Sequence, residues 1–237
     1  MSLEHWRKGQ RNILGAAIAG ILLRWFGDVP LPLATSVETT LGTPETQIEI
    51  KRFSTEARKA LEEQGYIIYG LEGQSIRKLN LRAGREFWSE RCQEDYPVFE
   101  ALTSMQSEVA INPEEPFLPG SNNRTLGQQE EMVGNFSKEL EEKIPGVKAV
   151  IGQAPDYLEL LFAHLDRTGD FSFGEEYRYG SFGEEYRYGS ARTKTRTSGS
   201  RVANIGGLGS DNGLHVSDWP AGLGSDSIYA APLVVPT

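Results

Sequence analysis

Residues 201–237 read RVANIGGLGSDNGLHVSDWPAGLGSDSIYAAPLVVPT, and the reading of the fold turns on this stretch. It holds no lysine and no glutamate. Gly206, Gly207, Gly209, Gly213, Gly222 and Gly224, with Ser210, Ser217, Ser225 and Ser227, are interleaved with Val202, Ile205, Leu214, Val216, Trp219, Ile228, Leu233 and Val234. A flexible Gly/Ser linker lacks such apolar positions. The spacing predicts short strands anchored in a core, joined by irregular loops whose side chains are small and polar. Gly206-Gly207-Leu208-Gly209 has the glycine density of a phosphate loop, but no lysine follows it to neutralise phosphate.

Just upstream, SARTKTRTSGS over 190–200 alternates Arg192, Lys194 and Arg196 with Thr193, Thr195 and Thr197. Period two with β-branched residues predicts a strand with an exposed face. Before it, SFGEEYRYG occurs twice in succession over 172–189. Nine is odd, so one continuous strand would turn the two copies to opposite faces. Two short strands, or a strand and a loop, turned at Gly180-Ser181, fit better. Tyr177, Tyr179, Tyr186 and Tyr188 would then form a contact surface or line a strand over the core. Both readings stay open.

Earlier segments mix helices and strands without a βαβ rhythm, which predicts an α+β fold. Ser54 caps an expected helix that runs to about Gln64 and stops at Gly65. Tyr66 to Tyr69 reads as a buried strand, and Ser75 to Leu81 alternates like a second one. Phe87, Trp88 and Cys92 fall in a short helix-like stretch. Ile111 to Leu126, with Pro113, Pro116, Pro119 and Gly120, reads as an ordered loop. A helix from about Gln128 to Lys143 aligns Met132, Phe136 and Leu140, and Pro145-Gly146 ends it. Val147 to Ile151 is a strand candidate. Pro155 opens a helix through Leu165, closed by Gly169.

The chain has 237 residues, enough for one large domain, and a formal net charge of −9. That acidity speaks against a nucleic-acid partner, because gripping phosphates needs a positive field that three cations near residue 194 do not supply. One cysteine, Cys92, makes neither an internal disulfide nor a multi-cysteine zinc site. The most apolar run, Ile13 to Leu23, follows Arg7, Lys8 and Arg11 but is shorter than the ~20 residues a bilayer demands. No small-residue cleavage site follows it. Leu14, Ile18, Ile21, Leu22 and Trp25 share one helical face, so a helix buried or packed on a partner is expected rather than membrane association. The domain organisation expected is a helix and connector over 1–45, then one domain over 46–237.

No catalytic set is visible, whether G-x-S-x-G, H-E-x-x-H or a lysine-ended phosphate loop. No metal or other cofactor is expected. Asp211, Asp218 and Asp226 have the residue type of calcium ligands without EF-hand spacing. His215 and Asp218 stand three apart and read as surface hydrogen bonding rather than catalysis. Asp156, Glu159 and His164 on the helix after Pro155 are the alternative enzymatic set, and the plainer expectation for them is a solvated helix face.

Particular residues carry a resemblance. Val202-Ala203-Asn204, Gly213-Leu214, Asp218-Trp219 and Ala230-Ala231-Pro232-Leu233-Val234-Val235-Pro236 resemble the C-terminal regions of the variable proteins of diversity-generating retroelements. Upstream, Ala110-Ile111-Asn112-Pro113, Ser121-Asn122-Asn123 and Gly146-Val147-Lys148-Ala149-Val150-Ile151-Gly152 look like archaeal and small-genome bacterial members. The resemblance covers roughly Glu108 onward. It implies a C-type lectin fold whose last strands and loops hold varying side chains on one exposed face, with the variable region at about 200–237. In such systems a reverse transcriptase copies a template with errors at adenines, so asparagine codons become a mixture like that of Gly207 to Tyr229. The implied function is non-enzymatic binding of a macromolecule, a protein in the first place. The implied contact residues are Arg201, Gly207, Leu208, Gly209, Asn212, His215, Ser217, Ala221, Gly222, Leu223, Ser225, Ser227 and Tyr229. The same fold serves formylglycine-generating enzymes, whose paired cysteines this chain lacks. Alternatives are a structural or adhesive subunit of a surface or virion assembly, and an enzyme with an unrecognised site. Ligand, oligomeric state and cellular location stay open.

Overall fold

The computed structural model describes residues 49–83, 96–169, 189–206 and 214–237, all inside a compact unit that runs from Gln47 to Thr237. The apolar helix expected at 13–25, the stretch with Phe87, Trp88 and Cys92, and the repeat as far as Tyr188 lie outside the described residues. In chain order the elements are α1 (Thr55–Glu63), β1 (Ile67–Glu72), α2 (Ile76–Ala83), α3 (Tyr96–Ala101), β2 (Gln106–Ile111), α4 (Leu126–Lys143), β3 (Val147–Val150), α5 (Ala154–Thr168), β4 (Ser190–Arg196), β5 (Arg201–Gly206), β6 (His215–Pro220), β7 (Ile228–Tyr229) and β8 (Leu233–Pro236). The class is α+β, as the patterning predicts.

Two four-stranded sheets organise these elements. The first has the order β1-β2-β8-β3 with every pair antiparallel, so the last strand of the chain lies in its interior. Val234 of β8 stands opposite both Ala110 and Ala149. The second sheet, β6-β5-β4-β7, is an antiparallel meander of β4, β5 and β6 with the short β7 added parallel to β4. One continuous apolar core joins residues of both sheets, including Leu71, Val109 and Leu233 from the first and Ile205 and Val216 from the second.

Helix α5 sits in that core, packed on β1 of the first sheet and on β4 and β5 of the second. Pro155 occupies its first turn, and Gly169 closes it at φ +80°, a left-handed conformation that glycine adopts without a Cβ penalty. Tyr157, Leu158, Leu160, Leu161 and Phe162 are all buried. The solvated face expected for Asp156, Glu159 and His164 does not exist, because these three are buried as well. Spacing along one helix cannot reveal that neighbours cover it on every side. Tyr157 Oη donates to Ala231 O at 2.6 Å and accepts from Gly152 N at 3.1 Å, which ties the helix start to the approach of β8.

One other expectation changes and two are refined. Ser75 to Leu81 is not a strand; Ile76 and Leu79 are fully buried three residues apart on α2, the spacing of a helical face. Helix α4 begins at Leu126 under a Thr125–Gln128 capping box; of the expected face Leu140 is buried and Phe136 packs on the core, and Gln129 and Val133 are buried beside them. Strand β4 has the expected exposed face at Lys194 and Arg196, with Thr193 and Thr195 buried in alternation with them, but Arg192 is buried as well. Helix α1 with its Ser54 cap, the loop before α4, and β3 stand as expected. Among the described residues no helix is long and apolar enough to cross a membrane.

Leu158 is fully buried in the core shared by the two sheets. Replacing it with alanine removes that contact and leaves a cavity, and the expected loss is about 2–5 kcal/mol in urea denaturation. Deleting 233–237 takes away the strand on which β2 and β3 both pair. The expected outcome is a chain without a cooperative thermal transition in circular dichroism.

Candidate functional site

The implied contact residues divide into those the structure places on a surface and those it does not. Gly207, Leu208, Gly209 and Asn212 lie outside the described residues, and His215 is placed only by its backbone pairing with Gly206. The anchors between them are in the core: Val202, Ile205, Leu214, Val216 and Ile228 are buried. Gly222 and Leu223 are exposed, Leu223 to 56%, while Ala221, Ser225, Ser227 and Tyr229 are half-buried. Pro220 to Ser227 therefore forms a loop that presents its side chains at the rim of the second sheet, between β6 and β7.

This loop is held by its own carbonyl oxygens. Arg192 Nη1 donates to Pro220 O at 3.3 Å and Arg192 Nη2 to Leu223 O at 3.0 Å. Leu126 N donates to Ala221 O at 2.8 Å, Asn123 N to Ser225 O at 2.7 Å, and Ser190 N to Ser227 O at 2.8 Å. Trp219 Nε1 donates to Gly224 O at 3.2 Å and Asn122 Nδ2 to Asp226 O at 3.2 Å. Gln129, fully buried on α4, donates from Nε2 to Ser121 O at 2.8 Å and to Ile228 O at 3.2 Å. Ser121 Oγ accepts from Ala230 N at 3.0 Å. Ser121-Asn122-Asn123, picked out in the sequence by resemblance alone, is thus the ledge on which the terminal loop rests. Asn123 has φ +55°, a left-handed conformation that asparagine tolerates better than most residues. The exposed Asn123 and Arg124 extend the rim beyond the implied contact set; their position depends on pairing across a hundred residues that no local pattern announces.

Two implied contact residues do structural work instead of standing free. Arg201 Nε donates to Asp218 Oδ1 at 2.8 Å and Arg201 Nη2 to Asp218 O at 2.9 Å, while Thr197 Oγ1 donates to Asp218 Oδ2 at 3.2 Å. Asp218 is buried and its carboxylate is taken by Arg201 and Thr197, so it is not the surface group that the sequence suggests. Ser217 Oγ donates to Asn204 Oδ1 at 2.6 Å. Among the described residues, no group of three or more His, Cys, Asp and Glu is arranged to hold a metal ion.

The buried polar residues of α5 are also occupied. Asp156 accepts from Met105 N at 2.7 Å and from Gln153 N at 2.6 Å. Glu159 accepts from Glu72 N at 2.9 Å, from Gln74 N at 3.1 Å and from Ser104 Oγ. His164 Nδ1 pairs with Tyr69 Oη at 2.6 Å. These carboxylates join main-chain amides at the end of β1 and in the segments beside β1, β2 and α5, which is a structural use of charge. Burial pushes the Asp156 carboxyl above its ordinary value, against the opposing pull of its two amide donors. Compared with known proteins, the chain matches no family model, no curated protein and no solved structure.

Two measurements follow from these partners. Arg201→Ala leaves Asp218 buried with only Thr197 to pair it. The expected destabilisation is about 3 kcal/mol, the lower end for a broken buried pair because Arg201 is partly in water. For Asp156 the folded state binds its proton more tightly than the unfolded chain. Its contribution is fully present below pH 3.8 and is lost as pH rises through the higher folded value. The stability difference between the parent and Asp156→Asn should therefore shift against the parent as pH rises from 3.8, and urea midpoints across that range check the sign.

Proposed function

We propose that the chain is a non-enzymatic binding protein with a C-type lectin-like fold, whose C-terminal surface is diversified by a retroelement to meet varied macromolecular targets, proteins foremost. The observation that carries the reading is the division of labour in 201–237. Val202, Ile205, Leu214, Val216, Ile228, Leu233 and Val234 fill the core, and Gly222 and Leu223 stand in solvent on a loop fixed through its main chain. Side chains at the open positions of such a loop, Gly222 and Leu223, can change without loss of the fold, which is the physical requirement for a diversified face. Small residues and tyrosine, here Ser225, Ser227 and Tyr229, also suit a paratope, where they combine adaptable hydrogen bonding with contact area. Asp156, Glu159 and His164 are all buried and hydrogen-bonded within the fold, which speaks against the alternative enzymatic set.

Two results test this. The locus should contain a reverse transcriptase gene and a near-copy of the DNA for residues 200–237 that differs only at adenines; a locus lacking both removes the retroelement. A library randomised at Ala221, Gly222, Leu223, Ser225 and Ser227 should yield folded variants that bind a chosen protein target. Failure to recover any binder from a library shown to fold would remove the binding role.

A further inference from the structure

A cation, Arg192, lies beneath the loop over Pro220 to Ser227. Arg192 is fully buried on β4, and both of its Nη atoms donate to carbonyl oxygens of that loop, Pro220 O and Leu223 O. Its Nε has no partner among the described residues, so the guanidinium's hydrogen bonds go to those two carbonyls. Burial also pulls its pKa below the ordinary value for arginine, the expected cost of keeping a cation out of water. A buried arginine paired only with main-chain oxygens is an expensive device, and the structure spends it on two turns of one exposed loop.

The glycines of the loop differ in the same sense. A Cβ at Gly222 would meet nothing within 4 Å. A Cβ at Gly224 would lie 2.6 Å from the backbone carbon and oxygen of Asn123, an overlap that no side-chain movement relieves. Gly224 is therefore the point where the loop's backbone presses on the Ser121–Asn123 ledge, and Gly222 is an open display position.

We infer that Arg192 is the positioning residue of the binding surface: a staple that fixes the Pro220–Ser227 backbone by its carbonyls. Side chains at Gly222 and Leu223 are then free to set ligand specificity, and Gly224 must remain glycine. The inference rests on the proposed binding role for its purpose, and its geometry is tested without any ligand. It converts the implied contact set into a rule: Gly222 and Leu223 are specificity positions, and Arg192 and Gly224 are constant ones.

The experiment is hydrogen exchange on the full chain, comparing Arg192→Met and Arg192→Lys with the parent. Amide protection at Asn123 and Leu126, which donate to Ser225 O and Ala221 O, should fall at least tenfold in Arg192→Met, about the loss of one charge-assisted hydrogen bond. Amides paired between β1 and β2 should keep their protection. Arg192→Lys, a single donor centre in place of a fork, should fall between, and added guanidinium at millimolar concentration should restore part of the protection in Arg192→Met. Unchanged protection at Asn123 and Leu126 in Arg192→Met overturns the inference. If that variant does not fold, the glycine pair decides. Gly222→Ser should keep parental stability and Gly224→Ser should lose protection at Asn123, and equal behaviour of the two overturns the rule. Binding selections speak to the proposed function separately: a library that folds by this rule and binds nothing removes the function and leaves the staple standing.

Discussion

The last strand of the chain lies in the middle of a sheet, and the rest of the molecule is arranged around that constraint. Strand β8 pairs with β2 on one side and β3 on the other, with Leu233 and Val234 fully buried. The first sheet is incomplete until the chain's end arrives. Everything from α5 to β7 is consequently a closed excursion that leaves β3 and returns beside it. Closing a segment of that length costs chain entropy that grows only slowly with its length, so a long excursion is affordable once both of its ends are locked in the sheet.

Within the excursion, α5 does for the two sheets what β8 does for the first one. It is buried on almost every side, and its buried carboxylates hold loop amides near β1 and β2. The second sheet is thereby carried on a rigid support, and its outermost loop becomes the part with side chains least committed to the core. The loop keeps its shape because donors of other segments, Arg192, Asn122, Asn123 and Leu126, hold its carbonyl oxygens. Main-chain anchoring separates the shape of a surface from the identity of its side chains, which is the property the proposed recognition role requires.

Much of the local structure is legible in the residues. Ser54, Gly65, Pro145-Gly146, Pro155 and Gly169 punctuate helices by backbone preferences that need no tertiary partner, and the structure follows them. Most apolar positions of 201–237 find the core for the same reason, since a residue such as Val216 gains from burial wherever the strand lies; Trp219, half-buried, and Leu223, exposed, do not. Ser75 to Leu81 misleads because a short run that alternates also places Ile76 and Leu79 at helical spacing, and only packing chooses between the two periods.

Polar residues are where the sequence runs out. Arg192, Lys194 and Arg196 look alike in a period-two strand, yet Arg192 is buried beneath a loop that starts 28 residues later and the other two are in water. Asp156, Glu159 and His164 look like a solvated face and are interior. Arg201 looks like a contact residue and is the partner of a buried Asp218. By itself the sequence determined the α+β class, the helix boundaries marked by caps and glycines, and the apolar anchors, because these depend on local backbone energetics and on burial as such. The tertiary structure alone decided which polar groups are interior, which loop is displayed and which of its glycines must stay, because a polar group's place depends on the distant donor or acceptor that satisfies it.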